Sequence, residues 1–118
     1  MGNQIVKQIA KGQSLAADFF SEIIPVGPFV DNIAFNIEAI GVSNNLGVFT
    51  VQHRIVKDTL RFSAWGTLCM STETRLSSKD EVKILYLNQA PIGEIRLVFT
   101  TNVGADGTCD IWYSGRNL

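Results

Sequence analysis

The 118 residues of this chain suit a single domain, long enough to bury roughly two thirds of the unfolded chain's surface in a core of its own. Ten Lys and Arg stand against eleven Asp and Glu, a formal charge of −1 with the two signs interspersed, which excludes the basic stripe that phosphate neutralisation requires. A hydrophobic content of 46% with only 18% charged residues excludes a disordered chain, and so little charge favours self-association or a docking surface.

Residues 1–14 read as an N-terminal arm kept soluble by Lys7, Lys11 and several amides. Ile5 and Ile9 share a face at helical spacing, but Gly12 follows too soon for an independent helix. Two readings fit: a frayed terminus or short edge strand, and an arm that orders on a neighbouring subunit through Ile5 and Ile9. Between Ser14 and Val26 two patterns compete. Leu15, Phe19 and Ile23 recur at helical spacing with Pro25 as a stop, whereas the run Phe19 to Val26 is rich in strand formers. The expectation is a strand over Ser21 to Val26.

Clear period-two alternation begins at Asp31. Ile33, Phe35, Ile37 and Ala39 alternate with Asn32, Ala34, Asn36 and Glu38, predicting a strand with one wet face. Gly41 to Gly47 is a loop by its Gly, Asn and Ser content. Val48 to Ile55 alternates again, with Phe49, Val51, His53 and Ile55 on the apolar side. The runs Leu60 to Trp65 and Thr67 to Ser71 predict two more strands with a bend at Gly66, and Thr72 to Asp80 reads as a polar loop. Val82 to Leu87, Glu94 to Thr100 and Gly107 to Ser114 then form three short β-rich runs separated by turn residues, the pattern of consecutive antiparallel strands. Seven or eight strands at even spacing, with no βαβ alternation, predict an all-β antiparallel sandwich of jelly-roll type over residues 15–118, preceded by the arm.

No constellation for catalysis accompanies these strands. His53 is the only histidine, which removes any two-histidine metal site, and on an apolar strand face it reads as a core residue. Gly-x-Ser-x-Gly, P-loop and dinucleotide-binding glycine patterns are missing. Asp106 and Asp110 lie four apart without calcium-loop spacing, so a hairpin turn at Asp106–Gly107 explains them better. Cys69 and Cys109 have neither CxxC nor zinc spacing and read as buried free thiols. No long apolar run near Met1 predicts a signal peptide or a membrane helix. The expectation is a protein without enzymatic activity, metal or cofactor, and without a nucleic-acid or membrane partner.

The last two runs allow a register to be written. Pairing Glu94–Thr100 with Thr108–Ser114 around Gly104 sets Phe99 opposite Cys109, Leu97 opposite Ile111 and Ile95 opposite Tyr113, one apolar face destined for the core. On the other face Arg96 meets Trp112, at a spacing where a guanidinium stacks on an indole. Arg96 and Trp112 thus become candidate partner-binding residues, since both types are enriched among binding anchors.

Several segments together resemble a family of small proteins encoded by tailed bacteriophages. They are Gly47-Val-Phe-Thr-Val-Gln52, the strand with Trp65, Leu87-Asn-Gln-Ala-Pro-Ile-Gly-Glu-Ile-Arg-Leu-Val-Phe-Thr100, and Gly104-Ala-Asp-Gly-Thr108. The likeness covers most of residues 20–118. Around Arg54 to Asp58 the chain departs from the family's Ser-Asn-Asp turn, and Tyr86 stands where Asp is common. The resemblance implies a jelly-roll minor virion component, foremost a head decoration (cement) protein located in the virion, whose partners are the major capsid protein or other virion proteins and further copies of itself. A different class remains beside it: a ligand-binding β-sandwich module, discoidin-like or carbohydrate-binding, that exposes Trp65 or Trp112 in a groove.

Overall fold

A computed structural model describes residues 3–27, 30–58, 61–62, 65–67, 73–87 and 93–117. Cys69, most of the run Thr67 to Ser71 and the turn residues 88–92 lie outside the described residues. The strands are β1 (Asn3–Ser14), β2 (Phe19–Phe20), β3 (Ile24–Val26), β4 (Val30–Ile40), β5 (Val48–Arg54), β6 (Val56–Asp58), β7 (Arg61–Phe62), β8 (Gly66–Thr67), β9 (Glu73–Arg75), β10 (Glu81–Leu87), β11 (Gly93–Thr100) and β12 (Thr108–Asn117). Among the described residues there is no helix.

Two antiparallel sheets make the sandwich. The first runs β1-β12-β4-β10; in the second, β11 and β5 are central. β2 and β3 share one edge of β11, and β8 and β9 share the far edge of β5, so each outer position of the second sheet is a strand broken in two. A small β6–β7 hairpin stands apart. The alternation expected from the sequence decides which face is buried: Ile33, Phe35, Ile37 and Ala39 of β4 and Phe49 and Val51 of β5 all point into the core. At its second-sheet side the core is aromatic, with Phe99 4.6 Å from Phe49 and 5.3 Å from Phe19, ring centre to ring centre.

Several expectations are corrected. Of the two readings of residues 1–14, the edge strand is the one found, and it is long: the segment is β1, at the edge of the first sheet, paired with β12 from Asn3↔Asn117 to Ser14↔Thr108. Two register shifts bend it, and Gly12 supplies a left-handed residue (φ 60) at the second. Ile5 and Ile9 consequently pack on this chain's own core. The polar stretch Thr72 to Asp80 is not wholly loop: Glu73–Arg75 pairs with Val48–Thr50, and Leu76 is buried. Ile55, expected on the apolar side, is exposed just past β5.

The largest correction concerns β11 and β12, which are not a hairpin. β11 pairs with β5, β2 and β3 in the second sheet, whereas β12 pairs with β1 and β4 in the first. The linker 101–107 therefore crosses the sandwich. It is anchored sideways to the 41–47 loop, where the Asn44 backbone carbonyl accepts from the Asp106 N–H (3.2 Å) and the Leu46 N–H donates to Asn102 Oδ1 (2.9 Å). Ile95, Leu97, Phe99, Cys109, Ile111 and Tyr113 are all buried, as the register implied, but they meet across the core from facing sheets.

Candidate functional site

Two outer faces and one polar hub hold the side chains that the core does not use. On the outer face of the first sheet the registers stack residues into rows. One row runs Gln8, Trp112, Asn36, Ile84, and the next runs Val6, Ser114, Ala34, Tyr86. Neither row carries a charge. Ile84 is 63% exposed, Val6 59%, Val82 55%, Tyr86 51% and Trp112 40%. The Tyr86 hydroxyl donates to Asn32 Oδ1 at 2.8 Å, which fixes the phenol over the sheet. Asn32 is free to turn there because β4 carries an extra residue against β12 between Ser114 and Arg116, and Asn32 takes a left-handed φ of 50.

β10 is unusual for an edge. Val82, Ile84 and Tyr86 face out and Leu85 and Leu87 fill the core, while Glu81 and Lys83, on the same inward side, pair with each other at 3.5 Å near the start of the strand. Its ladder with β4 runs without a shift from Glu81↔Ala39 to Leu87↔Ile33. The opposite edge, β1, has Lys7, Lys11 and two irregularities, devices that discourage further strand pairing.

The outer face of the second sheet is charged and internally paired. Arg54 donates from Nε and Nη2 to Glu94 Oε1 at 2.8 and 2.7 Å, across a directly opposed pair of β5 and β11. One register step away Arg96 donates from Nε to Gln52 Oε1 at 2.8 Å. The Arg96 guanidinium carbon lies 3.9 Å from the centre of the Phe20 ring and 4.2 Å from that of Trp65, and Arg54 covers the same indole at 4.5 Å. Partial burial, then the nearby Arg54 charge, lowers the Arg96 pKa from its ordinary value.

The expected Arg96–Trp112 stack is thus replaced. With β11 and β12 in different sheets, the two residues sit on opposite outer faces of the sandwich, and Arg96 takes the other tryptophan, Trp65. Of the four residues singled out for partner contact, Trp112 and Arg96 are surface groups on separate faces. Ile5 and Ile9 are partly buried against the core.

The polar hub lies at one end of the sandwich. Asn45 is fully buried; its Nδ2 donates to the Leu15 and Asp106 carbonyls, both at 2.9 Å, and its Oδ1 accepts from the Gly47 N–H at 2.8 Å. The Asp106 carboxylate accepts from the Ser43 and Asn44 N–H groups and the Ser43 hydroxyl, which holds its pKa down at about 2. Asp106 thereby clamps the inter-sheet loops, and the hairpin turn expected at Asp106–Gly107 is absent because the linker changes sheets. Sequence reading passed over Asn45, because one Asn among several in a loop gives no signal of burial.

Reactive groups are few among the described residues. Burial, then the Asp110 charge, pushes the Cys109 thiol up to about 12. His53 is half-buried at the end of β5, where a Cβ on Gly93 would stand 2.9 Å from His53 Nε2. A cleft of about 190 Å³ opens between β1 and the 22–25 segment, lined by Ile5, Ile24, Pro25 and Tyr113, with the Lys7–Glu22 ion pair (3.0 Å) across it. No group of three His, Cys, Asp or Glu side chains that could hold a metal occurs among the described residues. No family model, curated protein or solved structure significantly matches the chain.

Proposed function

We propose that this chain is a virion structural protein of a tailed bacteriophage, of the head-decoration kind, and that it works by protein–protein contact through the outer face of the first sheet. The observation that carries the contact reading is the pair of uncharged rows crossing all four strands of that sheet, bordered by an edge strand whose outward residues Val82, Ile84 and Tyr86 are all exposed. The largest exposed apolar patch of a monomeric protein is often functional, and here it gathers Val6, Val82, Ile84, Tyr86 and Trp112. The phage assignment rests on the sequence resemblance alone.

The occupant is an assembled shell of capsid subunits. Three outward positions on β10 and four strands give a footprint of roughly 300–400 Å² from strand and sheet spacings. That is about half of what one partner contributes to a standard interface. A single such contact is weak, whereas a lattice repeats the partner surface and multiplies weak contacts into lasting attachment. The patch then forms the apolar centre of the contact, with Glu38, Asp110 and Arg116 at its polar rim. For Trp65 the alternative of a sugar-stacking module is weaker, because two guanidinium groups already cover its indole.

Co-sedimentation with shells assembled from the phage's own major capsid protein tests the proposal. Ile84→Asp sets a charge among the apolar residues of β10 at the border of the patch and should weaken attachment at least tenfold. Trp112→Ala should weaken attachment with little loss of thermal stability. Full attachment by both folded variants would refute the role of this face.

A further inference from the structure

We infer that Arg96, framed by Phe20 and Trp65 on the outer face of the second sheet, is a receptor for a carboxylate side chain of a partner protein. This rests on the contact reading in requiring a protein partner, but it uses the opposite face of the sandwich.

The guanidinium is fixed before any ligand arrives. Its Nε–H is tied to Gln52 Oε1 at 2.8 Å, and it packs against two aromatic rings, so its plane and direction are set. Such a fork loses little freedom on binding. Both terminal amino groups lack an acceptor among the described residues, although Arg54 beside it is matched by Glu94. Among the described residues, Arg54 is paired with the Glu94 carboxylate and Arg96 with none.

The geometry selects the ligand. With Nε engaged by Gln52 and the guanidinium carbon close to two rings, the two terminal amino groups remain for a ligand, and two parallel N–H groups match a planar carboxylate. One cation balances one carboxylate, whereas a phosphate dianion calls for more positive charge. Phe20 is 59% exposed and offers an apolar wall beside the fork, suited to the methylene stem of a Glu side chain.

The test follows the Arg96 Nε–H signal by NMR in the full-length protein. Four probes are titrated: the peptide acetyl-Glu-Leu-Glu-amide, acetate, glucuronate and inorganic phosphate. The expected result is a saturable shift with the peptide, at least tenfold tighter than with acetate. Arg96→Lys, followed through the backbone amide signals of β11, keeps the charge but not the fork and should lose at least tenfold of that affinity. Gln52→Glu supplies an internal carboxylate and should abolish binding while the sandwich stays folded. Lys79→Arg, in the loop before β10, should leave the peptide affinity unchanged. Equal affinity for peptide and acetate, tighter binding of phosphate or glucuronate, or an unimpaired Arg96→Lys variant would overturn the inference. Attachment lost in Ile84→Asp with no shift at Arg96 would leave the first-sheet surface standing and remove this second site.

Discussion

Replacing Asn45 by Ala tests whether the polar hub holds the two sheets' loops together. Among the described residues, the substitution removes the one hydrogen-bond partner of the Gly47 N–H and of the Asp106 carbonyl, while the Leu15 carbonyl keeps the Thr101 hydroxyl at 3.2 Å. Each buried group left unsatisfied costs roughly 1–3 kcal/mol. Water can reach the Asp106 carbonyl more easily than the Gly47 amide, so a total of about 3 kcal/mol is expected. That is a large share of a typical domain stability, and it corresponds to a fall in Tm of roughly 10–15 °C at this chain length. Urea unfolding followed by tryptophan fluorescence measures it, with an unchanged slope against denaturant if only stability changes. Asn45→Asp should be at least as costly at neutral pH, because an acceptor would then face two carbonyl oxygens. A loss below about 1 kcal/mol in Asn45→Ala would refute the reasoning, since it would mean that water or a rearranged loop replaces the side chain without penalty.

Other outcomes follow from the same geometry. A Cβ on Gly47 would lie 2.3 Å from the Phe99 ring, so Gly47→Ala should cost about 1–3 kcal/mol by overpacking, readable in the same urea assay. Cys109 should resist a thiol reagent in the native protein and react only on unfolding. Its folded pKa is raised, so the stability it contributes is fully present below the ordinary thiol value and is lost as the pH rises through about 12. Asp106 has the opposite sign: its contribution is present above the ordinary carboxylate value and is lost as the pH falls through about 2, which a carboxyl-carbon NMR titration would follow directly.

Strand faces were legible in the sequence, and strand neighbours were not. Alternation at 33–39, 49–51 and 95–99 reports which side is buried, because side chains in a strand point to opposite faces whatever lies beside them. It does not report which strand pairs with which. The run 94–114 looked like a hairpin because the six inward residues match equally well side by side and face to face. Only the sideways anchoring of linker 101–107 to the 41–47 loop distinguishes the two arrangements, and those contacts join residues about 60 apart in sequence. For the same reason Arg96 was paired with the wrong tryptophan. β9 escaped notice since three residues are too few to show a period, and residues 1–14 admitted both an edge strand and an arm because Gly12 and its bulges interrupt the alternation. The uncharged rows of the first sheet were also invisible, being assembled from four strands far apart in the chain.

The most direct test of the contact surface is photo-crosslinking from position 84 in the assembled particle. A benzophenone amino acid is placed at Ile84, with Phe20 on the opposite outer face as the comparison position, and adducts are identified by mass spectrometry after irradiation. The expected result is a specific adduct between position 84 and the major shell protein. No adduct from position 84, with crosslinking only from position 20, would contradict the assignment of the first sheet as the surface through which this protein works.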